Sequence, residues 1–238
     1  MRSPAVPGRN PMAAAEGAAA AGGGPNAATS GTLVAPTTLP ASGLEYSVHR
    51  VPRAQRDEVA ALFPAQCGGG LAATAGPAAR AFLDELLLVP TTQRAAADLA
   101  GVGAAVEREK DTRLEAFLRW AEAVCAHLAG AEAGPEGEGP AYFCDYADPC
   151  SGLPMRHRAT QKVYDEVSAL AVLRHYRCAN AGCCKVVLHP RWGSAVYPAT
   201  LFARAPLPAL QAAVAAAERA FAAERPAAAA APSVTPGP

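Results

Sequence analysis

From Val106 to Leu128 the large apolar residues repeat at the spacing of one helical face. Leu114, Phe117, Leu118, Ala121, Val124, Cys125 and Leu128 follow one another at intervals of mostly three or four, which on a helix of 3.6 residues per turn gathers them into a single stripe. Glu107, Arg108, Glu109, Lys110 and Asp111 give the segment a charged opening. Gly130 stands just past its last apolar residue, where a glycine commonly ends a helix. This is the clearest element of the chain, a long helix with one face for a core.

Around it the pattern alternates between strand and helix periods. Leu44 to Val51 reads as a strand with Tyr46, Val48 and Arg50 on one face. Arg56 to Phe63 reads as a short helix stopped by Pro64. The run Leu86-Leu87-Leu88-Val89, ending at Pro90, fits a buried strand or a helix end, and periodicity leaves both open. Tyr142 to Tyr146 alternates as a strand closed by Asp148-Pro149, and Ser151 to Pro154 is a turn whose carboxylate cap would be Asp148. Val163 to Tyr176 is mixed, with His175 as a surface or helix-end residue. Lys185 to His189 and Ala195 to Phe202 read as the two strands of a hairpin turning at Pro190-Arg191-Trp192-Gly193. Trp192 would anchor that hairpin, and Pro198 marks an edge or bulge. Ala209 to Glu224 is an alanine-rich helix. The class is α+β, without internal repeats.

Composition sets the boundaries. Hydrophobic residues make up 51% of the 238, but alanine inflates that share and aromatics are 6%. The core is therefore expected between Leu44 and Phe202, where the large side chains lie. Residues 1–43, rich in Ala, Gly, Pro, Ser and Thr, are expected to form a disordered tail. Arg2 and Arg9 against Glu16 hint at a targeting segment there without making one. Residues 44–225 form the expected single domain, and 226–238 a second disordered tail. Lys plus Arg and Asp plus Glu are both 21, so no basic surface points to nucleic acid. No uncharged apolar stretch approaches the ~18 residues of a membrane span. Seven cysteines, an odd number in a domain long enough to build a core unaided, imply free thiols and a reducing compartment.

The densest chemical motif is Gly182-Cys183-Cys184-Lys185-Val186-Val187-Leu188-His189-Pro190-Arg191-Trp192-Gly193. Adjacent strand residues point to opposite faces. If a strand starts at Cys183, one thiol faces out with Lys185 on its side, and Cys184 faces the core. A cation beside an exposed thiol favours thiolate, a soft ligand suited to a transition metal. Two buried apolar cysteines are the alternative. A zinc set of Cys178, Cys183, Cys184 and His189 lacks the tight Cys-x2-Cys knuckle, so no intrinsic metal is expected. Phosphate-binding and hydrolase motifs are absent, and no catalytic residue is assigned.

Several segments resemble the CblD family, the methylmalonic aciduria and homocystinuria type D proteins. Tyr142-Phe143-Cys144-Asp145-Tyr146-Ala147-Asp148-Pro149-Cys150-Ser151-Gly152-Leu153 is similar to its aromatic-Asp-x-x-Asp-Pro-x-Ser-Gly-Leu stretch, with Cys150 where serine is expected. Tyr164 to Tyr176, Gly182-Cys183-Cys184-Lys185-Val186, His189, Trp192-Gly193, Val106-Glu107-Arg108-Glu109 and Leu62-Phe63-Pro64 also resemble the family in order. The resemblance implies a nitroreductase-like α/β sandwich and a cobalamin-trafficking adaptor rather than an enzyme. It implies a CblC-type partner that holds the cobalamin, with Cys183 as the thiolate ligand to cobalt and Gly182, Cys184 and Lys185 in support. Methionine synthase and methylmalonyl-CoA mutase would receive the cofactor, which is not held stably by the isolated chain. The expected location is cytoplasmic, with the mitochondrion a second candidate; the divergent N-terminal stretch does not carry import over. A flavin-dependent reductase on the same fold and a thiol redox protein using Cys183 and Cys184 are the rival classes.

Overall fold

Leu87-Leu88-Val89 is apolar at every position because its strand is covered on both faces. Leu87 and Val89 belong to one buried cluster and Leu88 to another, as the two-residue strand period requires. The computed structural model describes residues 31–69, 76–131, 142–182 and 184–224. The possible targeting segment, most of the expected tails and Cys183 lie outside the described residues.

A five-stranded antiparallel sheet is built from β1 (Thr32–Thr38), β2 (Leu44–Arg50), β3 (Leu87–Arg94), β4 (Phe143–Tyr146) and β7 (Val196–Arg204), in the order β1-β2-β3-β7-β4. One face is covered by α3 (Ala104–Gly130) and α5 (Leu207–Glu224). Phe117, Trp120, Val124 and Leu128 of α3 and Leu210, Val214 and Phe221 of α5 meet Tyr46, Val89, Tyr146 and Leu201 of the sheet. The other face carries α1 (Arg56–Leu62), α2 (Pro77–Glu85) and α4 (Glu166–Leu173), packed on Leu88 and Phe202. Phe63 holds that layer together, with edge-to-face contacts to Phe82, Phe143 and Phe202 at centroid distances of 6.2, 5.1 and 5.2 Å. Among the described residues no helix is long and apolar enough to cross a membrane.

A separate two-stranded ribbon, β5 (Arg177–Ala181) with β6 (Cys184–Leu188), follows α4. Its pairing corrects the hairpin expected from sequence. Lys185 to Leu188 pairs back onto Arg177–Asn180, while β7 pairs with β3 and β4. Only the His189–Gly193 bridge remains of the expected turn. Pro198 is likewise not on an edge strand. β7 is interior, but β4 flanks it only over Leu201–Arg204, so at Pro198 the ladder runs on the β3 side alone.

Three further expectations are corrected. The segment before Leu44 includes a strand, β1, because the Thr32–Thr38 backbone pairs with β2 although its side chains are largely exposed. The strand after Leu86 runs through Pro90 to Arg94. Between the Tyr46–Thr91 and His49–Leu88 pairs the β2–β3 ladder skips Pro90, so the proline's missing N–H breaks no bond there. Gly130 lies within the last turn of α3, which is capped by Ala131 instead.

The loop after β4 is fixed by two aspartates. Asp145 is fully buried and accepts backbone N–H bonds from Tyr146, Met155, Arg156 and His157 at 2.7, 3.1, 2.9 and 2.8 Å. Asp148 caps the turn as expected, accepting from the backbone of Cys150 and Ser151 and from Ser151 Oγ at 2.7 Å. Gly152 sits at φ +70°, and a Cβ there would lie 2.2 Å from Val163 Cγ1, so both conformation and space demand glycine.

Candidate functional site

The thiol motif lies at the free end of the ribbon. Ala181 pairs with Cys184, which leaves Gly182 and residue 183 as the connection, and Gly182 adopts φ +63°. A positive φ at the first residue of a two-residue connection is natural to glycine. Gly182, Cys184 and Lys185 are all exposed.

The ribbon's faces settle part of the facing argument. Val187 is buried against Leu170 of α4, and Lys185 shares its side by the strand period. Cys178, the partner of Val187, lies 3.9 Å from the carbonyl of Val167 through its Sγ. Cys184, Val186 and Leu188 form the other face. Cys184 is therefore not the core-facing cysteine expected from sequence, because β6 begins at Cys184 itself and its outward side carries that residue. The charge of Lys185 is felt at the N-terminus of α4. Asp165 caps that helix by accepting from the backbone N–H of Ser168 at 2.9 Å. Burial would raise the Asp165 pKa, but bonds from Ser168 and the charge of Lys185 hold it below the usual value.

What pins the ribbon to the sheet is a buried ionic network that sequence reasoning missed. Its centre is Glu45 of β2, 4% exposed. Arg174, the cap of α4, reaches Glu45 Oε1 with Nη1 at 3.1 Å and Thr92 Oγ1 at 3.1 Å, and donates through Nε to Ser47 Oγ at 2.8 Å. Its Nη2 donates to the carbonyls of Glu45 and Pro90 at 3.3 and 2.8 Å, where the β2–β3 ladder is interrupted. His189 closes the network from the ribbon's far end. Its Nδ1 accepts the Arg191 N–H at 3.1 Å, so Nε2 carries the proton toward Glu45 Oε1 at 3.2 Å. Tyr176 Oη also donates to Glu45, and the Arg191 guanidinium pairs with its other oxygen.

The pKa directions follow from this geometry. Burial alone would raise the Glu45 pKa, yet the His189 hydrogen bond and the charges of Arg174 and Arg191 lower it, so Glu45 is a carboxylate. Burial lowers the His189 pKa, with Glu45 pulling the other way. Trp192 stacks on the His189 ring at 3.8 Å and 12° and anchors the turn, as its place in the motif predicts. His175 is exposed directly after α4, at φ 54°. Among the described residues no three His, Cys, Asp or Glu side chains gather as a metal-holding group.

Fold and site together define a mixed α+β protein that carries Cys184, the second of two adjacent cysteines in sequence, on an accessory ribbon outside the sheet that makes its core. The chain belongs to the methylmalonic aciduria and homocystinuria type D protein family, whose model matches residues 28–214. It is similar to the protein described as cobalamin trafficking protein CblD from Homo sapiens, 26% identical over 171 residues, covering 72% of this chain and 50% of the relative. The Rattus norvegicus counterpart is 25% identical with the same coverage. That of Gallus gallus is 29% identical over 124 residues, covering 51% and 38%. The chain thus spans about half the length of the mammalian relatives it matches.

Proposed function

We propose that this chain is a cobalamin-trafficking adaptor, not an enzyme, and that its working group is the Cys183 thiolate. In this reading a CblC-type partner presents cobalamin, and the deprotonated sulfur donates a lone pair to cobalt. The cofactor then passes toward methionine synthase and methylmalonyl-CoA mutase. The helix–sheet–helix layering fits the nitroreductase-like sandwich that the family resemblance implies. A cytoplasmic location, with the mitochondrion as a second site, belongs to the same reading.

The observation that carries it is the exposure of Gly182, Cys184 and Lys185 at the end of a ribbon outside the main sheet. A macrocycle held on another protein needs a donor that stands clear of its own core. The buried Glu45–Arg174–His189 network gives that ribbon a rigid base, so presenting the thiolate costs little ordering entropy on encounter.

The test mixes the protein with cobalamin-loaded CblC-type partner and follows the corrin visible spectrum. The wild-type sequence and Cys184→Ser are expected to shift the spectrum, and Cys183→Ser to abolish the shift. Equal behaviour of the two variants would refute the assignment. Because only the thiolate binds, the shift should grow with pH through the thiol pKa. Lys185→Met is expected to move that midpoint upward by roughly half a pH unit, the effect of one exposed charge at close range in water. An unchanged midpoint would assign the Lys185 charge to Asp165 alone.

A further inference from the structure

Cys125 and Cys144 take no part in the ribbon, and their geometry is unusual for two thiols. Cys125 lies on the core face of α3 and Cys144 on the core face of β4, 1% and 4% exposed. Their sulfurs are 2.7 Å apart across a sequence separation of 19. That is closer than the ~3.5–4.0 Å at which carbon atoms, smaller than sulfur, rest against one another. It is only about 0.7 Å longer than a sulfur–sulfur bond of ~2.05 Å. Burial also raises the Cys144 pKa well above the ordinary thiol value, so as a thiol in the folded protein Cys144 would be inert.

We propose that Cys125 and Cys144 are a disulfide-forming pair that staples α3 to the edge strand β4, oxidised while the chain folds and before the pair is buried. The oxidant is a small-molecule disulfide of the glutathione type. One cysteine, as thiolate, attacks the small disulfide and releases one small thiol. The second cysteine then attacks the mixed disulfide, forms the Cys125–Cys144 bond and releases the other small thiol. Two protein thiols lose two protons and two electrons; one small disulfide becomes two small thiols. Once formed, the bond is shielded by Phe117, Ala121 and Tyr146 of the same cluster, so reductant should reach it only on unfolding.

The experiment refolds the full chain from reduced denaturant with and without oxidised glutathione, using Cys150→Ser, Cys178→Ser, Cys183→Ser and Cys184→Ser together to silence the exposed thiols. Peptide mapping without reductant is expected to find Cys125 joined to Cys144, lighter by two hydrogens. The bond should survive reductant in the native protein and be lost when denaturant is added. The oxidised form should melt about 5–10 °C above the reduced form, and adding Cys144→Ala should erase that difference. A folded product in which both thiols remain alkylatable after denaturation, or pair with Cys67, overturns the proposal. The mapping is read on the sequence that keeps both cysteines, so misfolding of the alanine variant cannot decide it.

Discussion

Arg174→Met should lower the unfolding free energy by about 3 kcal/mol, the loss expected when one partner of a buried ion pair is removed. The side chain is 1% exposed, and from the C-terminal cap of α4 its guanidinium bonds both β2 and β3. Methionine keeps much of the stem volume but leaves Glu45 without its most buried cation and the Pro90 carbonyl without its Arg174 donor. Arg191 and His189 still face Glu45, which is why the low end of the range for broken buried pairs applies. In thermal melts the change corresponds to roughly 6–12 °C for a domain of this size. The double variant Glu45→Gln/Arg174→Met should recover part of the loss, since it removes the stranded charge as well. Equal or greater destabilisation by the double variant would mean that Arg174 acts through packing and its carbonyl bonds, not through Glu45.

That network also shows where sequence stops being informative. Glu45 and Arg174 are 129 positions apart, and neither carries a local signature. β2 was legible from Tyr46 and Val48, but its other face, Glu45, Ser47 and His49, is buried too, and polar residues on a strand normally read as the wet side. The long helix was legible because its stripe is periodic over many turns and depends on nothing distant. β6 was legible in Lys185 to His189, but β5 was not, because Arg177-Cys178-Ala179-Asn180-Ala181 lacks the β-branched residues that mark a strand. Its pairing with β6 is fixed by a glycine turn and by Val187 packing on α4. β1 escaped notice for a related reason. Its backbone is held by the ladder to β2, and composition does not register backbone hydrogen bonds.

The motif residues divide in a way only the fold makes visible. Asp145, Asp148, Gly152, His189 and Trp192 all have structural work in bonds, caps or stacking. Removing them would disturb the architecture. Gly182, Cys184 and Lys185 are exposed instead, so their side chains fill no part of the core. That separation is what a presenting segment on a fixed scaffold needs.

Glu166→Gln should remove a loss of stability that the wild-type chain suffers between about pH 5 and pH 8. Glu166 opens α4 with its Oε1 buried and without a hydrogen-bond partner among the described residues, while Thr200 Oγ1 donates to Oε2 at 2.6 Å. Burial pushes its pKa up to about 8, against the Thr200 bond and with Asp165 and Glu58 adding repulsion. A carboxyl whose folded pKa exceeds its unfolded one binds more protons when folded. Stability must then fall as pH rises from the unfolded value toward the folded one, and stay low above it. The slope has a ceiling of about 1.4 kcal/mol per pH unit, so Glu166 alone should cost the wild-type chain up to about 4 kcal/mol across that span, a loss the glutamine variant lacks. His49, held down to about 4 by burial first and then by Arg174 and His175, works in the opposite sense, adding stability as pH rises through its unfolded value. Because His49 is common to both proteins, the difference between their denaturant midpoints at each pH isolates Glu166. Parallel curves for the two would mean that Glu166 is already ionised at pH 5, its charge met by a partner or water that lowers the cost of burial.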